Sequence, residues 1–146
     1  MTSIQVSDWL LFVHAAATLI MVGVIWFVQI VHYPLFSKVS RGAFPEYAHH
    51  HSRRTTRVVA MPMLAELGTA VAMVWRFGGA LAWCGLALLA VIWLSTWIWQ
   101  VPVHRQLEGG FDAASLGRLV RTNWVRTVAW SARGVIALAS LVSLPP

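Results

Sequence analysis

The chain has 146 residues, of which 58% are hydrophobic and only 11% charged, with a net charge of +6 and a mean hydropathy of +0.67. A soluble domain covers itself with roughly 25% charged residues, so water is excluded as the solvent for most of this surface. The basic balance is no nucleic-acid footprint either, because Lys and Arg gather in two stretches that flank long apolar runs, where the positive-inside rule expects them.

The first apolar run covers about 9–31, enough for a transmembrane helix. Asp8 is the only charged side chain ahead of Lys38, so the basic start of a signal peptide is lacking and the run reads as a true first span. It meets His32-Tyr33-Pro34 and then a basic stretch with Lys38, Arg41, His49, His50, His51, Arg53, Arg54 and Arg57. Pro45 followed by Glu46 marks a helix start, with Pro in the first turn and an acid at the positive dipole end. That helix is predicted to enter the bilayer near Val58, bend at Pro62 and end near Trp75, ahead of Gly78-Gly79. A third span covers about 80–101 and is closed by Pro102. A second basic loop carries Arg105, Arg118 and Arg121, and a fourth span covers about 124–144. The nine Trp suit the lipid headgroup level, and the single Cys84 allows no internal disulfide.

The expected fold is therefore all-α: one integral membrane domain, a four-helix bundle over 1–146. With four spans both basic loops share one side, which predicts a multi-pass protein of the cell inner (plasma) membrane with both termini outside. A weak repeat suggests two similar helical hairpins: Trp26-Phe27-Val28-Gln29 matches Trp97-Ile98-Trp99-Gln100, and Arg57-Val58-Val59-Ala60 matches Arg126-Thr127-Val128-Ala129.

Helical phase then sorts the polar residues. At about 100° per residue, His14, Thr18, Gln29 and His32 fall within a wedge of about 60° on the first span. Thr96, Gln100 and His104 form one stripe on the third, and Asn123, Arg126, Trp130 and Arg133 share a face of the fourth. His51, Thr55 and Glu66 share a face of the second. Thr, Asn and Gln at such positions commonly hydrogen-bond helix to helix, whereas ionisable groups in hydrocarbon mark a site or a pathway.

Two clusters follow from depth. Glu66 and Arg133 lie mid-span and are expected to form a buried ion pair, with His14 a possible third member. Nearer the basic loops, His32, His51 and His104 come from three different helices, with Gln29 and Gln100 one turn deeper and Arg57 and Arg126 flanking. Three imidazoles suit a transition metal such as Fe, Cu or Zn, and two at equal depth suit the axial positions of a haem. Gln29, Gln100, Asn123 and His14 are the polar residues expected around such a cofactor. Interfacial histidines that bind nothing remain the plain alternative.

The segments His32-Tyr33-Pro34-Leu35-Phe36, His51 with Arg53-Arg54-Thr55, Pro62-Met63-Leu64 ahead of Glu66, Gln100-Val101-Pro102 with His104, and Asn123-Trp124-Val125-Arg126-Thr127 with Trp130 and Arg133 span most of the chain. In these the chain resembles a group of small four-helix bacterial membrane proteins and, more distantly, the anthrone-oxygenase-like family. It has Pro102-Val103-His104 where that family carries a Pro-Asn pair. A fainter likeness, through His14 and Met61-Pro62-Met63, is to the protoporphyrinogen-oxidising four-helix haem proteins, without their Lys near the first His. Both resemblances imply redox chemistry. The leading expectation is a membrane oxidoreductase acting on a lipophilic substrate, in which His32, His51 and His104 hold the metal or haem. Arg57 and Arg126 would position an anionic or quinone-like group, and Glu66 with Arg133 would form a charged pair or proton route. A small carrier or transporter and a structural assembly subunit are the rivals. Expected partners are membrane lipids, the lipophilic small molecule and a second copy in a homo-oligomer, with no nucleic acid.

Overall fold

The computed structural model describes residues 6–142, and these form an all-α four-helix bundle. Its helices are α1 (Val6–Phe27), continued through a π-turn (Val28–His32), α2 (Tyr33–Leu35) and a 3-10 turn (Phe36–Lys38); α3 (Phe44–Phe77); α4 (Gly79–Ser95), continued through a second π-turn (Thr96–Gln100) into α5 (Val101–Glu108); and α6 (Ala113–Val142). Four stretches, Asp8–Lys38, Phe44–Phe77, Gly79–Glu108 and Ala113–Val142, are long and apolar enough to cross a membrane. The predicted end of the fourth span near residue 144 lies outside the described residues.

Two of the prolines do not act as the sequence suggested. Pro102 was expected to close the third span, and the first was expected to end before Pro34, yet both rods run on for another turn or more. In an α-helix a proline clashes with the carbonyl four residues back. Here each proline follows a π-turn, whose bonds reach back five residues: the Tyr33 N–H bonds Val28 O, and the Val101 N–H bonds Thr96 O. The wider turn makes room for the ring. Helix α3 runs on through Pro62, where the sequence predicted a bend and not an end.

The other boundaries follow their local chemistry. Helix α3 opens with Pro45 in its first turn and Glu46 at its positive end. It passes into α4 through Gly78 and Gly79 at φ of 63° and 79°, a left-handed pair that side chains resist. Asp112 caps α6 by accepting from the Ser115 N–H at 2.8 Å. Hydrogen bonds from Ser115 hold the Asp112 carboxyl below the usual carboxylate range. The cap is therefore present at neutral pH and lost only as pH falls through that lowered value.

Helix α1 packs on α3 and α6, and α4 packs on the same two, so α3 and α6 face each other across one diagonal of the bundle. The outer surface is apolar, with Trp75 90% and Met61 73% exposed, as in a chain whose solvent is hydrocarbon. Helix association in such a medium depends on close packing rather than on the hydrophobic effect. Gly134 supplies one such contact, since a Cβ there would stand 3.2 Å from a Val22 methyl.

Gly134→Leu is expected to push α6 off α1 and lower stability by about 1–3 kcal/mol, read as a fall in Tm by circular dichroism in detergent. Gly117→Ala, where nothing lies within 4 Å of the new Cβ, should raise stability by about 0.5–1 kcal/mol. Equal effects of the two changes would refute the close α1–α6 contact.

Candidate functional site

Along the bundle axis, polar and apolar layers alternate. The deepest polar layer centres on Glu66 and Arg133, which are 0% and 1% exposed and reach across the α3–α6 diagonal to an ion pair of 2.9 Å. One Glu66 oxygen also accepts from Thr18 Oγ1 at 2.9 Å, and the other from Trp130 Nε1 at 3.0 Å. Arg133 Nη1 donates to the Gly85 carbonyl of α4, and Nη2 lies 3.5 Å from His14 Nε2. The far nitrogen of His14 bonds Thr69 at 2.8 Å. This layer is closed: the carboxylate and guanidinium are matched by donors and acceptors from all four helices, and neither residue lines either of the two cavities that adjoin His51.

Next comes an apolar layer of Met21, Ile25, Met63, Ile92, Ala129 and Trp130. Beyond it lies the second polar layer. His32 Nε2 and His51 Nδ1 share a 2.7 Å hydrogen bond, and Thr55 Oγ1 stands 3.2 Å from the same His51 nitrogen. The His51 and His104 rings stack with centroids 5.4 Å apart. His104 Nε2 bonds the Tyr33 hydroxyl at 3.0 Å. Tyr33 in turn lies against the guanidinium of Arg126. Arg126 Nη1 donates to Asn123 Oδ1 at 3.2 Å, and the group stands 5.1 Å over the Trp130 ring. Gln29 Oε1 accepts from Asn123 Nδ2 at 2.8 Å, and Gln100 Nε2 donates to Thr122 Oγ1 at 2.9 Å. An aromatic and aliphatic plug of Phe36, Phe44, Leu107 and Leu119 caps the loop end.

The three expected imidazoles thus meet, but as a hydrogen-bonded and stacked row. Among the described residues no group of three or more His, Cys, Asp or Glu is arranged to hold a metal ion. A haem between axial imidazoles needs a slot as thick as the macrocycle between two rings. His32 and His51 are in direct contact, with centroids 4.5 Å apart, and leave no such slot between these two rings. Gln29 and Asn123 bond each other instead of facing a cofactor, and His14 belongs to the deeper layer. Arg57, expected beside Arg126, is exposed and lines neither cavity. His49 and His50 also face outward, paired with Glu108 and Glu46 at 3.7 Å.

Two cavities meet at His51. A central one of about 260 Å³ has Met21, Val24, Ile25, Val28 and Val59 as apolar wall and Tyr33, His51, Thr55, Gln100, His104 and Arg126 as polar wall. Its mouth, between α3 and α5, carries Ser52, Thr56, Arg105 and Glu108. A larger groove of about 800 Å³ runs between α1 and α3 past Gly23, Phe27, His32, Tyr47, His51 and Val58. Phe27 and Val58 are 57% and 60% exposed on the apolar surface, so the groove opens sideways.

Tyr33 is the site residue that helical phase missed. A regular α-helix sets it about 100° from His32, off the polar stripe, and only the π-turn ending at His32 brings its hydroxyl to His104. The Trp130–Glu66 bond was missed as well, although Trp130 shared the right face. No protein-family model matches this chain, and no curated protein or solved structure matches it either.

The closed layer makes a sharp energetic prediction. Glu66→Gln and Arg133→Leu each strand a buried partner and should cost about 3–5 kcal/mol. The double change should recover part of that loss in a denaturation cycle in detergent. Strictly additive losses would show that the two side chains act independently.

Proposed function

We propose that this chain is a membrane enzyme of the oxidoreductase class that takes a lipophilic substrate into the central cavity and moves its protons through the His–Tyr row. The observation that carries this reading is the convergence of His51, His104 and Tyr33 on one interhelical cavity adjoining a laterally open groove. The hydrophobic plug covers the loop end of the site, whereas the groove faces the apolar surface from which a lipophilic molecule arrives. The redox class rests on the family resemblance, and the geometry supports the proton-transfer part of such chemistry.

Each residue has a role. His51 is the general base or acid: its Nδ1 is engaged by His32 and Thr55, which leaves Nε2 for substrate. His32 sits in the groove wall and passes the proton outward. His104 and Tyr33 form a second proton-carrying pair on the opposite wall. No step is routed through a metal or haem; the electron pair is exchanged with a quinone-class co-substrate from the membrane, and the His–Tyr row carries only the protons. A carrier needs a polar path across the bundle, and the closed Glu66–Arg133 layer, which lines neither cavity, speaks against one.

In the inner (plasma) membrane the basic loops would be cytoplasmic and both termini outside, which puts the site near the cytoplasmic face. Reporter fusions at the C-terminus and at Gly109-Gly110 should give opposite signals, and a cytoplasmic C-terminus would reverse the orientation.

Chemistry is tested on bacterial membranes that express the wild type, His51→Ala or Tyr33→Phe, by mass spectrometry of organic extracts. The wild type is expected to deplete one lipophilic species and accumulate its oxidised or reduced counterpart. His51→Ala should slow this by about 10²–10⁴-fold with its Tm kept. Identical extracts from wild type and empty vector would remove the enzymatic reading. Stoichiometric metal on the purified chain that disappears in both His32→Ala and His104→Ala would return a metal to the mechanism.

A further inference from the structure

The central cavity contains an imbalance that the proton row does not explain. Among the described residues, four buried side-chain polar atoms have no hydrogen-bond partner: Trp93 Nε1, Ser95 Oγ, Gln100 Oε1 and Arg126 Nε. Only Gln100 and Arg126 belong to residues that line the cavity, and they are 2% and 9% exposed. Leaving a donor or an acceptor unmade inside a bundle carries a full desolvation penalty, so two of them on residues that line one cavity point to a ligand there.

Their chemistry is opposite and specific. Arg126 is a buried cation with no carboxylate beside it among the described residues. Glu66 is committed to Arg133, and Glu108 sits at the mouth against His49. The partners of Arg126 are neutral: Asn123 Oδ1, the Trp130 face and Tyr33. An unbalanced guanidinium in a low-dielectric layer calls for an anion. Gln100 presents an acceptor. Its Nε2 donates to Thr122 Oγ1, whose own proton goes to the Arg118 carbonyl at 2.8 Å. The amide is thereby fixed with Oε1 free, and it requires a donor.

We propose that the central cavity binds a small lipophilic hydroxy acid, with the carboxylate on Arg126, the hydroxyl donating to Gln100, and the hydrocarbon against Met21, Val24, Ile25, Val28 and Val59. This names the substrate class of the site described above and rests on that reading for turnover, though not for binding. A volume of about 260 Å³ lies just below the range of drug-sized pockets, so the acid is of single-ring size. Its carboxylate is held at the polar wall near His51 and His104, which places the ligand's exchangeable protons beside the row.

The test is calorimetric titration of the purified full chain in detergent micelles, with empty micelles subtracted, using the three hydroxybenzoate isomers, benzoate and benzyl alcohol. At least one hydroxybenzoate should bind more tightly than benzoate, and both far more tightly than benzyl alcohol. Arg126→Gln should weaken both acids by about tenfold or more. Gln100→Leu should erase the preference for the hydroxyl while leaving benzoate unchanged. Val59→Phe fills the cavity from the facing helix and should abolish acid binding without lowering Tm, which covers the case in which Arg126→Gln fails to fold. Equal binding of acid and alcohol, or acid binding that survives Val59→Phe, would overturn the assignment. Hydroxy-acid binding with unchanged membrane extracts would leave this inference standing and remove the enzyme. Altered extracts without acid binding would do the reverse.

Discussion

A carboxylate in hydrocarbon survives only if its surroundings replace water, and that requirement at Glu66 organises the bundle. Its oxygens take donors from Thr18 on α1 and from Trp130 and Arg133 on α6, and Arg133 continues to Gly85 on α4. One charged pair thus fixes the mutual position of all four helices. Apolar packing alone specifies register weakly where lipid tails are as apolar as the core. Shifting any helix by one residue would strand a donor or an acceptor here, which apolar contacts would not punish as heavily.

The second polar layer has the same ingredients arranged differently. It too draws on every rod of the bundle, through His32 and Tyr33, His51, His104 and Arg126. Yet it encloses a cavity, leaves Arg126 Nε and Gln100 Oε1 unpartnered, and holds Arg126 with no carboxylate paired to it among the described residues. A structural role predicts full pairing, as at Glu66. The contrast between the two layers within one protein is what supports the proposal that the first holds the fold and the second takes a ligand.

How much of this was legible in the residues depends on whether the helix was regular. Phase at constant pitch put His14 and Thr18 on the inner face of α1, and they lie beside Glu66, Thr18 directly and His14 through Arg133. Depth along the spans paired Glu66 with Arg133. Pitch fails where it changes. The π-turns at Val28–His32 and Thr96–Gln100 shift the phase of everything after them, so Tyr33 was invisible and Pro102 read as a stop. They also undo the repeat's apparent register. The Gln29–Gln100 match is offset by 71 residues, whereas the two π-turns, each followed two residues on by a proline, correspond at an offset of 68. Matching Arg57 to Arg126 fails for a related reason: a short motif fixes identity but not facing, and Arg57 turns outward where Arg126 turns in.

The two layers communicate through Trp130. It is fully buried, its Nε1 is anchored on Glu66, and its ring face lies under the Arg126 guanidinium at 5.1 Å. A cation is held over an indole by the ring quadrupole, so the position of the ring sets that of the charge. The indole can turn only by giving up its bond to a buried carboxylate, and the closed layer makes that costly. The rigid charge pair therefore positions the buried cation of the open layer, Arg126, at a fixed height in the cavity. This explains why a site that leaves polar atoms unpartnered sits one apolar layer above a network that leaves its carboxylate and guanidinium fully matched: the unmatched groups are held in place because the matched ones cannot move.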